Sequence, residues 1–123
     1  MNTELLIKRF ERGEGERREF EKGFFEVLKV RGQRLGRAVY QPGWNWAEHT
    51  RGPGDPPTCP VEHIVLVLRG RCAVKMDSAG EARILQPGDF AYVPPGHASW
   101  VVGDEPYESL HFLGAERYAK ARR

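Results

Sequence analysis

The chain has no apolar run near the ~20 residues that a membrane-spanning helix needs, so a membrane role is not expected. Its opening decapeptide, Met1-Asn-Thr-Glu-Leu-Leu-Ile-Lys-Arg-Phe10, has too short an apolar stretch for a signal peptide and no small-residue cleavage pattern. Cysteine is scarce: Cys59 and Cys72 are the only two, too few for a disulfide scaffold. A reduced, cytoplasmic setting is therefore the expectation, although the sequence leaves a bridge between the two open. Charge of one sign is not in excess either. Nineteen Lys and Arg are set against 17 Asp and Glu, a net +2. The two signs are interspersed, as in Glu14-Gly-Glu-Arg-Arg-Glu19, which reads as a solvated surface rather than the one-sided cation patch of a nucleic-acid binder. Nucleotide-binding and serine-hydrolase signatures are missing as well. Gly52-Pro-Gly54 runs into Asp-Pro rather than Lys-Ser/Thr, no Gly-x-Ser-x-Gly turn occurs, and neither Ser99 nor Ser109 has nucleophile spacing.

What is present is β-forming sequence in short lengths. At 123 residues, 40% hydrophobic and a mean hydropathy of −0.58, the chain suits one globular domain. Fourteen glycines and nine prolines cut it into runs rich in Val, Ile, Phe and Tyr: 24–30, 35–40, 63–69, 72–77, 81–85, 90–93, 98–102 and 108–113. Close, regular strands with turn signals predict an all-β sandwich or barrel. Asp77-Ser-Ala-Gly80 reads as a hairpin turn, and no gap after Tyr40 has the length and period of a βαβ crossover, so the strands are expected to be antiparallel. Residues 1–34 are taken as an N-terminal arm with the first strand or strands, 35–114 as the barrel and 115–123 as a basic tail, either a last helical turn or disordered. Leu6, Ile7 and Phe10 form a weak helical stripe in the arm, with an extended arm as the alternative. The connection 42–60 carries Trp44, Trp46 and His49, and its length marks it as a candidate functional loop.

Four histidines occur, His49, His63, His97 and His111. His63 opens the strongest strand, and period-two alternation puts His63, Val65 and Val67 on one face. Neutral imidazole is the commonest metal ligand, and Cys59 lies four residues upstream across Pro60; thiolate with imidazoles suits zinc or iron. A hydrogen-bonded structural histidine is the competing reading of His63. Glu62, next to His63, is expected to point to the opposite face, and Glu48 likewise adjoins a histidine. Pro94-Pro95-Gly96 hands His97 out of a turn with little freedom left to lose. Trp44 and Trp46, beside His49, either line a pocket or close one end of the barrel. His111 can face either way, and Cys72, alternating with Val74 and Met76, reads as packing.

These residues resemble the cupins, small antiparallel β-barrels, over about 35–114. Gly88, Pro94 and Gly96 match the second cupin motif, whose histidine position is Ser99 here, with His97 two residues early; the usual asparagine position is Gly103. Anchoring the first motif on Gly70 puts His63 at the glutamate position and Pro57 and Cys59 at the histidine positions. None of the four usual ligands keeps its identity. A closer similarity links Cys59–His63, Gly70-Arg71, Met76-Asp77 and 94–106 to a branch of small single-domain bacterial cupins in which the histidines matching His63 and His97 recur. The resemblance implies a double-stranded β-helix, or jelly-roll, barrel. It leaves reaction open, since cupins include dioxygenases, isomerases, storage proteins and sensory domains.

Two readings of the replaced ligands follow. In one, His63, His97 and Cys59, with His49 from the loop as a fourth, hold a divalent metal (zinc, iron, manganese or nickel). In the other the metal is gone and the barrel binds a small organic ligand or an anion between walls that include Trp44, Trp46, Val65, Val67, Ser99, Trp100 and His111. The leading functional expectation is a small-molecule binder, through a metal or without one, acting as a sensor or accessory module. An oxygenase or isomerase and a structural barrel that dimerises through edge strands and the N-terminal arm are the alternatives. A homodimer is expected.

Overall fold

The structure, a computed structural model, describes residues 4–77 and 80–120. Nine strands alternate with short connections: β1 Glu16–Phe20, β2 Gly23–Val30, β3 Gln33–Tyr40, β4 His63–Arg69, β5 Arg71–Met76, β6 Ala82–Leu85, β7 Phe90–Val93, β8 His97–Val102 and β9 Tyr107–Leu113, with one short helix, α1, at Trp46–His49. They form a six-stranded sheet in the order β1-β2-β3-β9-β4-β7 and a three-stranded sheet in the order β6-β5-β8. Every strand pair is antiparallel. The all-β, antiparallel expectation is met, and eight of the nine strands coincide with the apolar runs. No helix among the described residues is long and apolar enough to cross a membrane.

Alternation explains which side of the large sheet is buried. On β4, His63, Val65 and Val67 are buried while Ile64 and Leu68 are exposed; on β9, Tyr107, Ser109 and His111 are buried and Phe112 is exposed. The same period puts Phe25 and Val27 of β2 and Ala38 and Tyr40 of β3 into the core cluster. One glycine makes this packing possible: a Cβ on Gly36 would stand 2.3 Å from the Phe25 ring. The ring therefore crosses β3 only because no side chain is there.

Three features differ from the sequence expectation, and a fourth meets it. β1 lies in the charged run 14–19; its polar side chains hid a strand whose one buried residue is Arg18, 8% exposed. Arg18 is thus no solvated surface charge, because it points under the segment after β9. In the arm, residues 4–9 have no regular structure and a single 3-10 turn spans Phe10–Arg12, so the helical stripe does not become a helix. The loop 42–60 contains α1, whose N-terminus is capped by the Asn45 side chain accepting from the Glu48 N–H at 2.8 Å. Finally, β5 and β6 pair as the hairpin predicts, with Ser78 and Ala79 at its tip outside the described residues.

Beyond β9 the chain does not trail off. Residues 115–119 fold into successive turns, with Ala115 and Tyr118 both in the core cluster. The Arg18 guanidinium fixes them: it donates to the carbonyls of Ala115 at 2.9 Å and Glu116 at 3.2 Å, and to that of Tyr118. The basic tail of the sequence reading is, through residue 119, a folded plug.

Candidate metal centre

Three elements converge to build the site. His63 is the first residue of β4 and faces inward; its strand partner is Val93 of β7. His97 is the first residue of β8, delivered by Gly96 at φ +88°, a value that side chains rarely adopt. Cys59 is locked to that turn by backbone alone. Its N–H donates to the His97 carbonyl at 2.9 Å, and its carbonyl accepts from the Gly96 N–H at 2.8 Å. A one-residue bridge thus sets the thiol beside the imidazole, and the four-residue hop across Pro60 brings His63 to both.

The ligand atoms of Cys59, His63 and His97 lie within 4.8 Å of one another, and all three residues are buried. Cys59 Sγ is 3.8 Å from His63 Nε2. A tetrahedral ion with metal–sulfur and metal–nitrogen bonds of about 2.3 and 2.0–2.1 Å separates such atoms by roughly 3.6 Å. His97 Nδ1 sits 2.7 Å from the Pro94 carbonyl. That carbonyl can only accept, so Nδ1 carries the proton and Nε2 keeps its lone pair, the arrangement in which an outer carbonyl orients a metal-binding imidazole.

The electrostatics keep the imidazoles neutral. Burial, then the neighbouring His111 and His97, pushes the His63 pKa well below its usual value. Burial lowers His97 as well, opposed by its bond to Pro94. His111 falls to about 3, again by burial and then by His97. Neutral histidines are ligand-ready. The Cys59 thiol is pushed the other way, up to about 12, by burial. It stays protonated without a cation, and a cation must displace its proton. Two buried nitrogens, His63 Nδ1 and His111 Nδ1, have no hydrogen-bond partner among the described residues. By donor set, spacing and protonation these residues fit a divalent ion.

The remaining expected residues fall into three groups. His111 stands next to the cluster, its ring 5.1 Å from His63, but its Nε2 pairs with Ser109 Oγ at 3.2 Å. Val65, Ser99 and His111 line, with the cluster histidines, a cavity of about 40 Å3; Val67 is buried but not on that lining. His49 is not brought to the cluster. Its Nδ1 accepts the Asn45 N–H at 2.9 Å and so belongs to the turn of α1. The tryptophans also sit apart: Trp44 stacks flat on Tyr40 at 3.7 Å between ring centres, while Trp44, Trp46 and Trp100 border a separate surface pocket. Glu62 points outward as expected, accepting from the Tyr92 hydroxyl at 2.8 Å. Both cysteines are free, and Cys72 donates to the Ala73 carbonyl at 3.7 Å.

Sequence reasoning missed Tyr118. Its ring is edge-on to His63 at 4.8 Å and to Phe25 at 4.9 Å, and lies 5.9 Å from His111 at a near-parallel 18°. Its hydroxyl is 2.6 Å from that of Tyr40. The only signal was the three-residue spacing of Ala115 and Tyr118 after Gly114, which among charged neighbours is too short to stand out.

No family model and no curated protein matches the chain. Solved structures do. A cupin-like protein of Thermotoga maritima is similar over 78% of this chain and 71% of its own, with 21% identity and a TM-score of 0.53. A cupin-2 domain protein of Rhodospirillum rubrum aligns over 80% of this chain and 63% of its own, with 21% identity and a TM-score of 0.57. The oxalate decarboxylase of Lactobacillus farciminis matches 87% of this chain, which spans only 33% of that enzyme, at 21% identity and a TM-score of 0.58. At such identities the likeness is one of architecture. The chain is a small protein with the fold of the cupins.

Proposed function

We propose that this protein is a metal-holding cupin module, with Cys59 Sγ, His63 Nε2 and His97 Nε2 as the protein ligands of a divalent ion and a small molecule as its ligand. One observation carries the reading: a buried thiol and two buried neutral imidazoles with their ligand atoms inside 4.8 Å. A sulfur–nitrogen donor set suits zinc or iron better than the oxygen-preferring ions. Such an ion supplies Lewis acidity to whatever oxygen or nitrogen reaches it. The chain's own residues do the rest: the Pro94 carbonyl holds the His97 proton and the Gly96–Cys59 bridge fixes the thiol.

The two sheets closing over the site as a jelly-roll barrel is part of this proposal, supported by the inward-facing alternation of the large sheet and by the structural neighbours. The inner cavity of about 40 Å3 has room for an ion with a water, and none for a substrate of ordinary size. Dimerisation through a sheet edge also stays in the proposal, since β1 pairs with β2 alone; light scattering tests it.

The test is metal analysis of protein loaded with zinc, iron, manganese or nickel and then desalted. One equivalent of zinc or iron is expected in the wild type and none in the His63→Ala/His97→Ala double variant. A wild type that retains none of the four ions overturns the reading.

A further inference from the structure

Tyr118 is the one large side chain in the cavity wall that comes from outside the sheets. It belongs to both the inner cavity and a cleft of about 400 Å3 on its other side, bordered by Trp46, Cys59, Val61 and Arg117. Tyr118 thus borders both the cavity beside His63 and His97 and the outer cleft, which Cys59 also lines. What surrounds it is chemically specific. Phe25 and His63 meet it edge to face, the preferred geometry for aromatic pairs. The Tyr40 hydroxyl pairs with the phenol oxygen. The segment carrying the ring is held by the Arg18 fork, by two turn bonds to the Gly114 carbonyl and by the packing of Ala115 and Tyr118 in the core.

We infer that Tyr118 occupies the ligand's own place, so that the small molecule bound here is a simple phenol, which takes over the ring site when residues 115–120 swing away. This names the ligand class of the site proposed above and rests on that reading. A para-substituted phenol is the tyrosine side chain without its backbone. It would meet the same edge-on rings, the same Tyr40 hydroxyl and, through the outer cleft, an open path. The Tyr40–Tyr118 hydroxyl pair makes the site a phenol site rather than an apolar void: a ring without oxygen leaves the buried Tyr40 hydroxyl unpaired, which costs discrimination of the kind hydrogen-bonding sites show. The plug also sets apparent affinity, which is the intrinsic affinity reduced by the fraction of molecules with the plug out.

The probe is p-cresol, with toluene as its oxygen-free control, on chelator-treated full-length protein. Three results are expected. In the wild type, p-cresol accelerates tryptic cleavage after Arg117 and Lys120 in a saturable way, read by mass spectrometry, and toluene does so at least tenfold less effectively. Arg18→Lys, which keeps the charge but cannot fork to three carbonyls, binds p-cresol about tenfold more tightly. Tyr40→Phe erases the preference for p-cresol over toluene. Cleavage unchanged or slowed by p-cresol in both the wild type and Arg18→Lys overturns the inference, as does equal response to toluene with Tyr40 intact. Because zinc retention is measured separately, protein that binds p-cresol but no metal sinks the metal reading alone. Protein that holds zinc while its plug ignores p-cresol sinks only this one.

Discussion

The inner and outer faces of β4 and β9 differ in the wrong direction for strands whose only task is to bury apolar surface. Outside, Ile64, Leu68 and Phe112 are exposed, flanked by Phe90 and Tyr92 of β7, with Phe90 69% exposed. Inside, the same strands bury His63, Ser109 and His111, and two imidazole nitrogens have no partner. Reversing the two sets would gain apolar burial and remove the unpaired polar atoms. That the chain keeps imidazoles inside supports the use proposed for His63, which with His97 stands beside the thiol of Cys59. The comparison with Cys72 makes the same point: burial raises both thiols to about 12, yet among the described residues it is Cys59 that is grouped with two histidines.

This contrast can be broken at several points. The largest effect is expected from Phe25→Ala, which removes a fully buried ring packed on His111 and Tyr118; about 3–5 kcal/mol of stability should be lost in urea denaturation. A loss under about 1 kcal/mol would mean the inner face does not pack as a core. Acid should come next. The folded pKa values of His63, His97 and His111 are all lowered, His111 to about 3, so the unfolded chain binds more protons below about pH 6.5. Their contribution is complete above that pH and is lost as pH falls, by up to about 1.4 kcal/mol per pH unit for each histidine. Metal-free protein should therefore weaken steeply between pH 6.5 and 4, and His111→Leu should flatten the slope. An unchanged slope in that variant removes His111 from the neutral set.

Ser109→Ala leaves the His111 Nε2 without its partner and should cost about 1–3 kcal/mol; a neutral result would show that water reaches His111. On the outer face, Phe90→Ser should change monomer stability by no more than about 0.5 kcal/mol. A larger loss would place Phe90 in contacts the isolated chain does not make.

Strand existence was legible because alternation with period two is a local signal, and glycine and proline punctuate it. The same signal placed His63, Val65 and Val67 on one face and turned Glu62 away. Cys59, His63 and His97 were identifiable as ligand candidates, since a thiol and an imidazole four residues apart at a strand start and a histidine on a Pro-Pro-Gly turn are short-range patterns. His49 shows the limit: the residue type was right, but a capping turn, Asn45 to His49, takes its nitrogen. β1 escaped notice because an edge strand with one buried arginine has no apolar period to detect.

Residue type and spacing along the chain thus specified the strands, their turns and the chemical kind of the donors. Whether those donors meet was decided by pairing across the fold, where a two-bond bridge between Cys59 and the Gly96–His97 turn joins residues 38 positions apart. Tyr118 and Arg18, a hundred residues apart, were beyond any local pattern. A guanidinium gains from three carbonyls only after the sheet has put β1 under the last turn, so the plug over the site exists in the tertiary structure and nowhere in the sequence alone.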